Sequence, residues 1–151
     1  NPDKTFIFSN FKSLGGELYQ NTVRVLNSVT GNKIKAIYGL DLDNTNGQLC
    51  WPSFQCAPAY SNSFPDILHP DGKYLPELPD GTRKYIGNHF RCLVPMAIDQ
   101  DPYFRMARDF ADKYKNHGYL KPATIHTKFL LSLGGEGSKM SSSARTCRLS
   151  L

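Results

Sequence analysis

The chain has 151 residues, of which 40% are hydrophobic and 21% charged, with a formal net charge of +5 and an isoelectric point near 9.0. That length fits one domain or part of a larger one, and a four-cysteine chain of this size is too large for a disulfide scaffold. The basic excess suits an anionic partner such as nucleic acid or nucleotide, and it equally suits an ordinary solvated surface.

Eight Tyr, nine Phe and one Trp supply enough large apolar surface for a core. Cys50, Cys56, Cys92 and Cys147 form no Cys-x-x-Cys pair, so they read as free thiols of a reducing, cytoplasmic compartment. His69, His89, His117 and His126 are scattered, which leaves no set of zinc-ligand spacing and no metal site. The densest apolar stretch, Cys92 to Ile98, is far too short to span a bilayer, and no signal peptide is visible. The chain opens on Asn1-Pro2-Asp3 without an initiator Met, which reads as a fragment or as a processed chain.

In chain order, Thr5-Phe6-Ile7-Phe8 reads as a short buried strand rich in β-formers. Gly15-Gly16 breaks the chain, and from Glu17 the residues Leu18, Val25, Leu26 and Val29 fall at helical spacing. Gly31 is expected to stop that helix. Ile34 to Leu40 is short and apolar, and fits either a helix or a strand. Asp41 to Gln48 is polar and turn-rich. Pro52 then suits the first turn of a helix, where its missing N–H costs nothing. Phe54, Ala57 and Tyr60 share a face of it, and Pro58 keeps it short or kinks it.

A long surface loop or insertion is expected over 66–89, because Asp66 to Asn88 holds three prolines and three glycines. Cys92 to Ile98 reads as a buried parallel strand by its continuous apolarity. Pro95 within it requires an edge position or the end of a sheet. Asp101-Pro102 starts a helix, with Asp101 as N-cap and Pro102 in the first turn. Tyr103, Ala107, Phe110, Ala111 and Tyr114 mark one face of it. Lys113 and Lys115 suit its carboxyl-terminal dipole, and Gly118 ends it. Ile125, Thr127, Phe129 and Leu131 alternate as in a strand. Strands alternating with helices point to a parallel α/β sheet. No internal repeat is present.

Three places carry candidate chemistry. The run Leu133-Gly-Gly-Glu-Gly-Ser-Lys139-Met140-Ser141-Ser142-Ser143 exposes backbone N–H groups and hydroxyls beside a mobile positive charge. It reads as a phosphate-holding loop or as a flexible linker. It is not a P-loop, since the Gly-Lys-Ser/Thr ending is absent. The second place is Asp99-Gln100-Asp101, at the carboxyl end of a strand, where open α/β sheets bind ligands. Gln100 offers both a donor and an acceptor there. The bland alternative is a capping Asp101 and a solvated Asp99. The third is Gln55, a polar residue among Trp51, Phe54, Cys56 and Ala57. It either has a partner or faces solvent.

Taken together, these pieces resemble the eukaryotic type of tryptophanyl-tRNA synthetase, a class I aminoacyl-tRNA synthetase. The resemblance runs in order along most of the chain. It rests on Lys4-Thr-Phe-Ile-Phe-Ser9, on Gln55-Cys-Ala-Pro58 with Tyr60-Ser-Asn-Ser-Phe-Pro65, and on Ala97-Ile-Asp-Gln-Asp-Pro-Tyr-Phe-Arg-Met106. Lys121-Pro-Ala with His126 and then Lys139-Met-Ser-Ser-Ser143 complete the series.

The resemblance implies a doubly wound parallel sheet, here partial. Residues 1–151 would form the second half of the catalytic domain, with its ATP loop over 134–143. The histidine-bearing phosphate motif, the indole-reading residues and the anticodon-binding domain would lie outside the chain. A chain holding half a site is expected to be inactive alone, because a class I site closes on ATP from two sides.

By the same resemblance, Gln55 and Gln100 would hold the ammonium of tryptophan, and Val94, Met96 and Phe104 would wall the indole pocket. Lys139 would stabilise charge on the leaving pyrophosphate, with Ser141 and Ser143 donating to phosphate oxygens. Val94, Lys139, Met140 and Ser141 would contact ATP. Mg2+ is expected with the triphosphate, tRNA(Trp) as acceptor, a homodimer as the full-length assembly, and no membrane. The rivals are tyrosyl-tRNA synthetase, disfavoured by the Asp-Pro-Tyr-Phe-Arg run, and a non-catalytic nucleotide- or tRNA-binding paralogue.

Overall fold

In a computed structural model, the described residues are 1, 4–68, 73–74, 85–86 and 90–127. Six α-helices are assigned among them: α1 (Asn10–Ser13), α2 (Gly16–Ser28), α3 (Gly31–Tyr38), α4 (Asn46–Cys56), α5 (Pro65–Leu68) and α6 (Asp101–Lys113). Four strands accompany them: β1 (Lys73–Tyr74), β2 (Tyr85–Ile86), β3 (Leu93–Ala97) and β4 (Ala123–Thr127). The first two strands form an antiparallel pair inside the expected 66–89 loop. The last two pair in parallel, with Val94 opposite Thr124 and Met96 opposite His126. No helix among the described residues is long and apolar enough to cross a membrane.

A parallel pair cannot be closed by a hairpin, so the chain must cross over between its strands. Helix α6 is that crossover. Its apolar residues recur at helical spacing, and Phe104, Met106, Ala107, Phe110 and Ala111 are all buried. They join Val25 of α2, Ile34 of α3, Cys56 of α4 and Met96 of β3 in one core. The expected face was therefore right at Ala107, Phe110 and Ala111, while Tyr103 and Tyr114 sit at its partly buried rim. Phe110 stacks at 4.7–5.5 Å against Tyr60, Tyr114 and Tyr119. The Tyr60 hydroxyl donates to the Ala107 carbonyl at 2.8 Å, and burial pushes its titration well above the ordinary tyrosine range. Burial likewise pushes the Cys56 thiol up to about 12, and the thiol donates to the Tyr103 carbonyl at 3.0 Å.

Proline 95 pairs with Ile125 in register. Among the described residues β3 has a partner on one edge only, where a missing N–H is tolerated. The short apolar segment Ile34 to Leu40, which fits either a helix or a strand, falls largely in α3, capped by Thr30, whose side chain accepts from the Lys33 amide. It ends on Gly39, whose φ of 69° is costly for other residues. Gly118 does not end α6, which stops at Lys113 with Tyr114 as its cap; it closes the 3-10 turn Lys115–His117 that follows, at φ 86°.

Three other local expectations differ from the structure. Thr5 to Phe8 is not a strand: Phe6 and Ile7 are 49% and 89% exposed, and no described strand lies beside them to complete a ladder. Their neighbourhood is instead aromatic, with Phe6 and Phe8 stacked and both against Phe64. Gly31 does not follow α2 as its stop; α2 already ends at Ser28, and Gly31 is the first residue of α3. Pro52 does not open a helix either. Thr45 and Gln48 form a reciprocal capping box that starts α4 at Asn46 and leaves Pro52 inside it. The helix then stops at Cys56 and passes into a 3-10 turn, Ala57–Ala59, that contains Pro58.

Phe110→Ala should cost about 3–5 kcal/mol in denaturant unfolding, because it empties a ring-lined site that cannot fully collapse. Tyr60→Phe should cost about 0.5–1.5 kcal/mol, the net worth of one hydrogen bond, since the Ala107 carbonyl lies inside α6 and keeps its helical donor.

Candidate functional site

The site sits where β3, α4 and the start of α6 meet. A cleft of about 310 Å³ is lined by Phe8, Phe54, Gln55, Cys92, Val94, Pro95 and Phe104, among others. Helix α4 supplies Phe54 and Gln55 from its last turn, and the following proline, Pro58, continues the same wall. Strand β3 supplies Val94, and α6 supplies Phe104 from its first turn. Apart from Gln55 and Asn10, this wall is carbon, sulfur and backbone.

The Gln55 side chain is half-buried, and no described residue pairs with its amide. A half-buried amide in an apolar wall keeps unspent hydrogen-bonding capacity that a polar ligand group can take up. Three of the sequence candidates, Gln55, Val94 and Phe104, thus share one cleft. Met96 does not reach it: it is only 7% exposed and packs into the core among the helices.

Gln100 lies one turn past the carboxyl end of β3, in the 3-10 turn Ile98–Gln100, and is outside this cleft wall. Its Nε2 donates to Asp99 Oδ2 at 3.2 Å. That contact orients the amide so that Oε1 remains an acceptor. Lys139, Met140, Ser141 and Ser143 lie outside the described residues.

Asp101 departs from its expected part. It is the first residue of α6 rather than its cap, and the Gln100 that precedes it makes no side-chain cap bond. Its carboxylate instead holds Arg105 one turn on and His126 of β4, the latter at 2.8 Å. Partial burial pushes the Asp101 carboxyl up, but hydrogen bonds from His126 and Arg105, with their charges, outweigh it and hold the group below the usual carboxylate range. The i, i+4 spacing of Asp101 and Arg105 was visible in the sequence. The contact with His126 was not, since only the register of the parallel strands brings residues 25 apart together. No three His, Cys, Asp or Glu side chains gather into a metal site among the described residues.

A parallel strand pair, its crossover helix, and a polar-tipped apolar cleft beside the strand make this part of a Rossmann-like α/β domain. Comparison with known proteins narrows that class. The chain is 42% identical over 145 residues to the cytoplasmic tryptophan–tRNA ligase of Saccharomyces cerevisiae, covering 96% of this chain and 29% of that protein. The tryptophanyl-tRNA synthetase of Giardia lamblia superposes with a TM-score of 0.74 at 33% identity, over 96% of this chain and 37% of that one. The enzyme of Encephalitozoon cuniculi, solved with tryptophan bound, superposes with a TM-score of 0.66 at 32% identity, over 89% of this chain and 33% of that one. No protein-family model matches. The chain belongs to the tryptophanyl-tRNA synthetase family of class I aminoacyl-tRNA synthetases. It spans under a third of the length of the curated relatives that it matches.

The Asp101 pairing generates a pH test. A carboxyl whose folded value is lowered stabilises the fold above its unfolded value, and that contribution is lost as pH falls through the lowered value. Asp101→Asn should therefore unfold at lower denaturant than the parent at pH 7. The gap should close as the pH is brought below about 4, the ordinary carboxylate range.

Proposed function

We propose that the protein containing this chain activates tryptophan with ATP and transfers the aminoacyl group to tRNA(Trp). The observation that carries this reading is the Gln55 amide, paired with no described residue and set into the apolar cleft with Val94 and Phe104. An indole needs apolar area, and an ammonium needs acceptors. The cleft offers the first and Gln55 the second, with the Oε1 of Gln100, which accepts from no described residue, a further acceptor beyond the end of β3.

In the first step the substrate carboxylate attacks the α-phosphate, and pyrophosphate leaves. The protein's part is to orient the two reactants and to stabilise charge that grows on the phosphates. Gln55 and Gln100 fix the ammonium through neutral oxygens. Phe104 and Val94 exclude water beside the ring, and Met96 supports that wall from the core side. Lys139, with Ser141 and Ser143, meets the phosphates; Val94 and Met140 contact the nucleotide. Mg2+ accompanies ATP and neutralises phosphate charge when bound. The full-length protein is a cytoplasmic homodimer in this reading. The names of its relatives include the compartment, and Cys50, Cys56 and Cys92 are free thiols.

The test is amino-acid-dependent ATP–pyrophosphate exchange by the full-length protein. Exchange with tryptophan and not with tyrosine is the expected result. Exchange with tyrosine alone would install the tyrosyl rival, and none with either would install the non-catalytic one.

Gln55→Ala should raise the KM for tryptophan by about 10–100-fold, the value of a hydrogen bond to a charged group. Lys139→Ala should instead lower kcat by about 10²–10³, as removal of one charge-stabilising group does. Its KM for tryptophan should stay close to that of the parent, because the charge that Lys139 meets grows only in the transition state.

A further inference from the structure

Asp101 stands at a junction that the proposed reaction does not itself use. Its backbone N–H closes the Ile98–Gln100 turn on the Ile98 carbonyl. Its carboxylate takes His126 Nε2 of β4 on one oxygen and Arg105 Nε of α6 on the other. One residue therefore binds the turn, the helix start and the end of the neighbouring strand. Its side chain is 14% exposed, while Arg105 and His126 are 79% and 40% exposed. The carboxylate is the sheltered centre of the group and its partners are the wet rim. Charge-assisted hydrogen bonds to a sheltered carboxylate are short and directional, so they fix geometry as well as adding energy. A second tie, from Thr127 Oγ1 to the Met96 carbonyl at 3.3 Å, holds the same ends of β3 and β4 together.

We propose that Asp101 is a positioning residue for the amino-acid site: clamped by His126 and Arg105, it sets the Ile98–Gln100 turn and so aims the free oxygen of Gln100. The inference rests on the proposed function, since it assigns Gln100 to the substrate ammonium. Gln100 is adjacent to Asp101 in the chain and shares its turn, so a shift of that turn displaces the amide directly. The contact between Gln100 and Asp99 fixes the amide's rotation, and Asp101 fixes where the turn that carries it lies. An aspartate serving only to favour the amino-terminal dipole of α6 would need neither partner.

The experiment uses the full-length protein and its Asp101→Ala, Asp101→Asn and His126→Gln variants, with KM for tryptophan, KM for ATP and kcat read from pyrophosphate exchange. Asp101→Ala should raise the KM for tryptophan about 10–100-fold, as expected when a charged-group hydrogen bond is misplaced. The KM for ATP should change by no more than about twofold. Asp101→Asn keeps an oxygen for His126 and should recover most of the loss. His126→Gln should move the tryptophan KM in the same direction, and combining it with Asp101→Ala should add nothing, as for two ends of one interaction.

A variant that loses thermal stability while both KM values stay unchanged would overturn the proposal, and so would equal losses for tryptophan and ATP. Should Asp101→Ala fail to fold, His126→Gln decides alone, because its side chain is partly exposed and an unchanged tryptophan KM there overturns the clamp. A parent protein without tryptophan-dependent exchange would remove the functional reading itself. An active parent with unaffected variants removes only the role of Asp101.

Discussion

The parallel pairing of β3 with β4 imposes a crossover, and the crossover helix α6 is what the rest of the structure is arranged around. Its first turn delivers Phe104 to the cleft and Asp101 to the strand ends. Its middle, Met106, Ala107, Phe110 and Ala111, supplies the largest share of the buried core. Ala107 is fully buried, and its carbonyl accepts from the Tyr60 hydroxyl. That bond ties α6 to the segment that follows α4, the helix that carries Gln55. Packing and site geometry are thus coupled through one helix.

A second constraint is polar. Asn21 of α2 is fully buried, and four side chains satisfy its amide. Its Nδ2 donates to Ser63 Oγ at 2.8 Å and to Asn62 Oδ1 at 3.1 Å, while its Oδ1 accepts from the Tyr119 hydroxyl at 2.5 Å and from Arg24 at 3.1 Å. Ser63 Oγ donates onward to the Ala57 carbonyl at the end of α4. A buried amide is costly unless every partner is in place, so such a network tolerates few alternative packings. It fixes α2 against the turn that leaves α4, and hence the orientation of the helix that carries Gln55. The apolar core supplies the drive to fold, and the amide network restricts which arrangement is adopted.

The parts legible in the sequence were those with a repeating signal. Helix α6 showed its apolar spacing and an Asp-Pro start, and β3 showed continuous apolarity that Pro95 did not break. The amide at Gln55 was visible as a polar residue among apolar ones. What escaped was non-local or hidden by composition. The true start of α4 lay in a polar stretch that looked like a turn, because capping residues and turn residues are the same residue types. Thr5 to Phe8 has strand composition, but a strand exists only with a partner, and composition does not say whether one is near. Met96 alternates with Val94 as a pocket residue would, yet it packs against the helices in the core. Only the three-dimensional register showed that His126 meets Asp101.

The neutrality of the two candidate amides follows from the chemistry that the site is proposed to perform. An ammonium could be held more strongly by a carboxylate, but a second negative charge there would lie close to the substrate carboxylate and to the triphosphate. In a water-poor cleft, like charges repel strongly over several ångströms. Glutamine oxygens would orient the ammonium without adding that repulsion, and so would leave the nucleophile and the phosphate free to approach. Two carboxylates lie near this site: Asp99, which accepts from Gln100 Nε2, and Asp101, which is paired with Arg105 and has His126 hydrogen-bonded to its other oxygen. The clamp can therefore position the turn while contributing little net field where the phosphates would sit. In the proposed reading, a carboxylate would serve geometry and amides would serve binding, a division of labour that the electrostatics of adenylate formation favour.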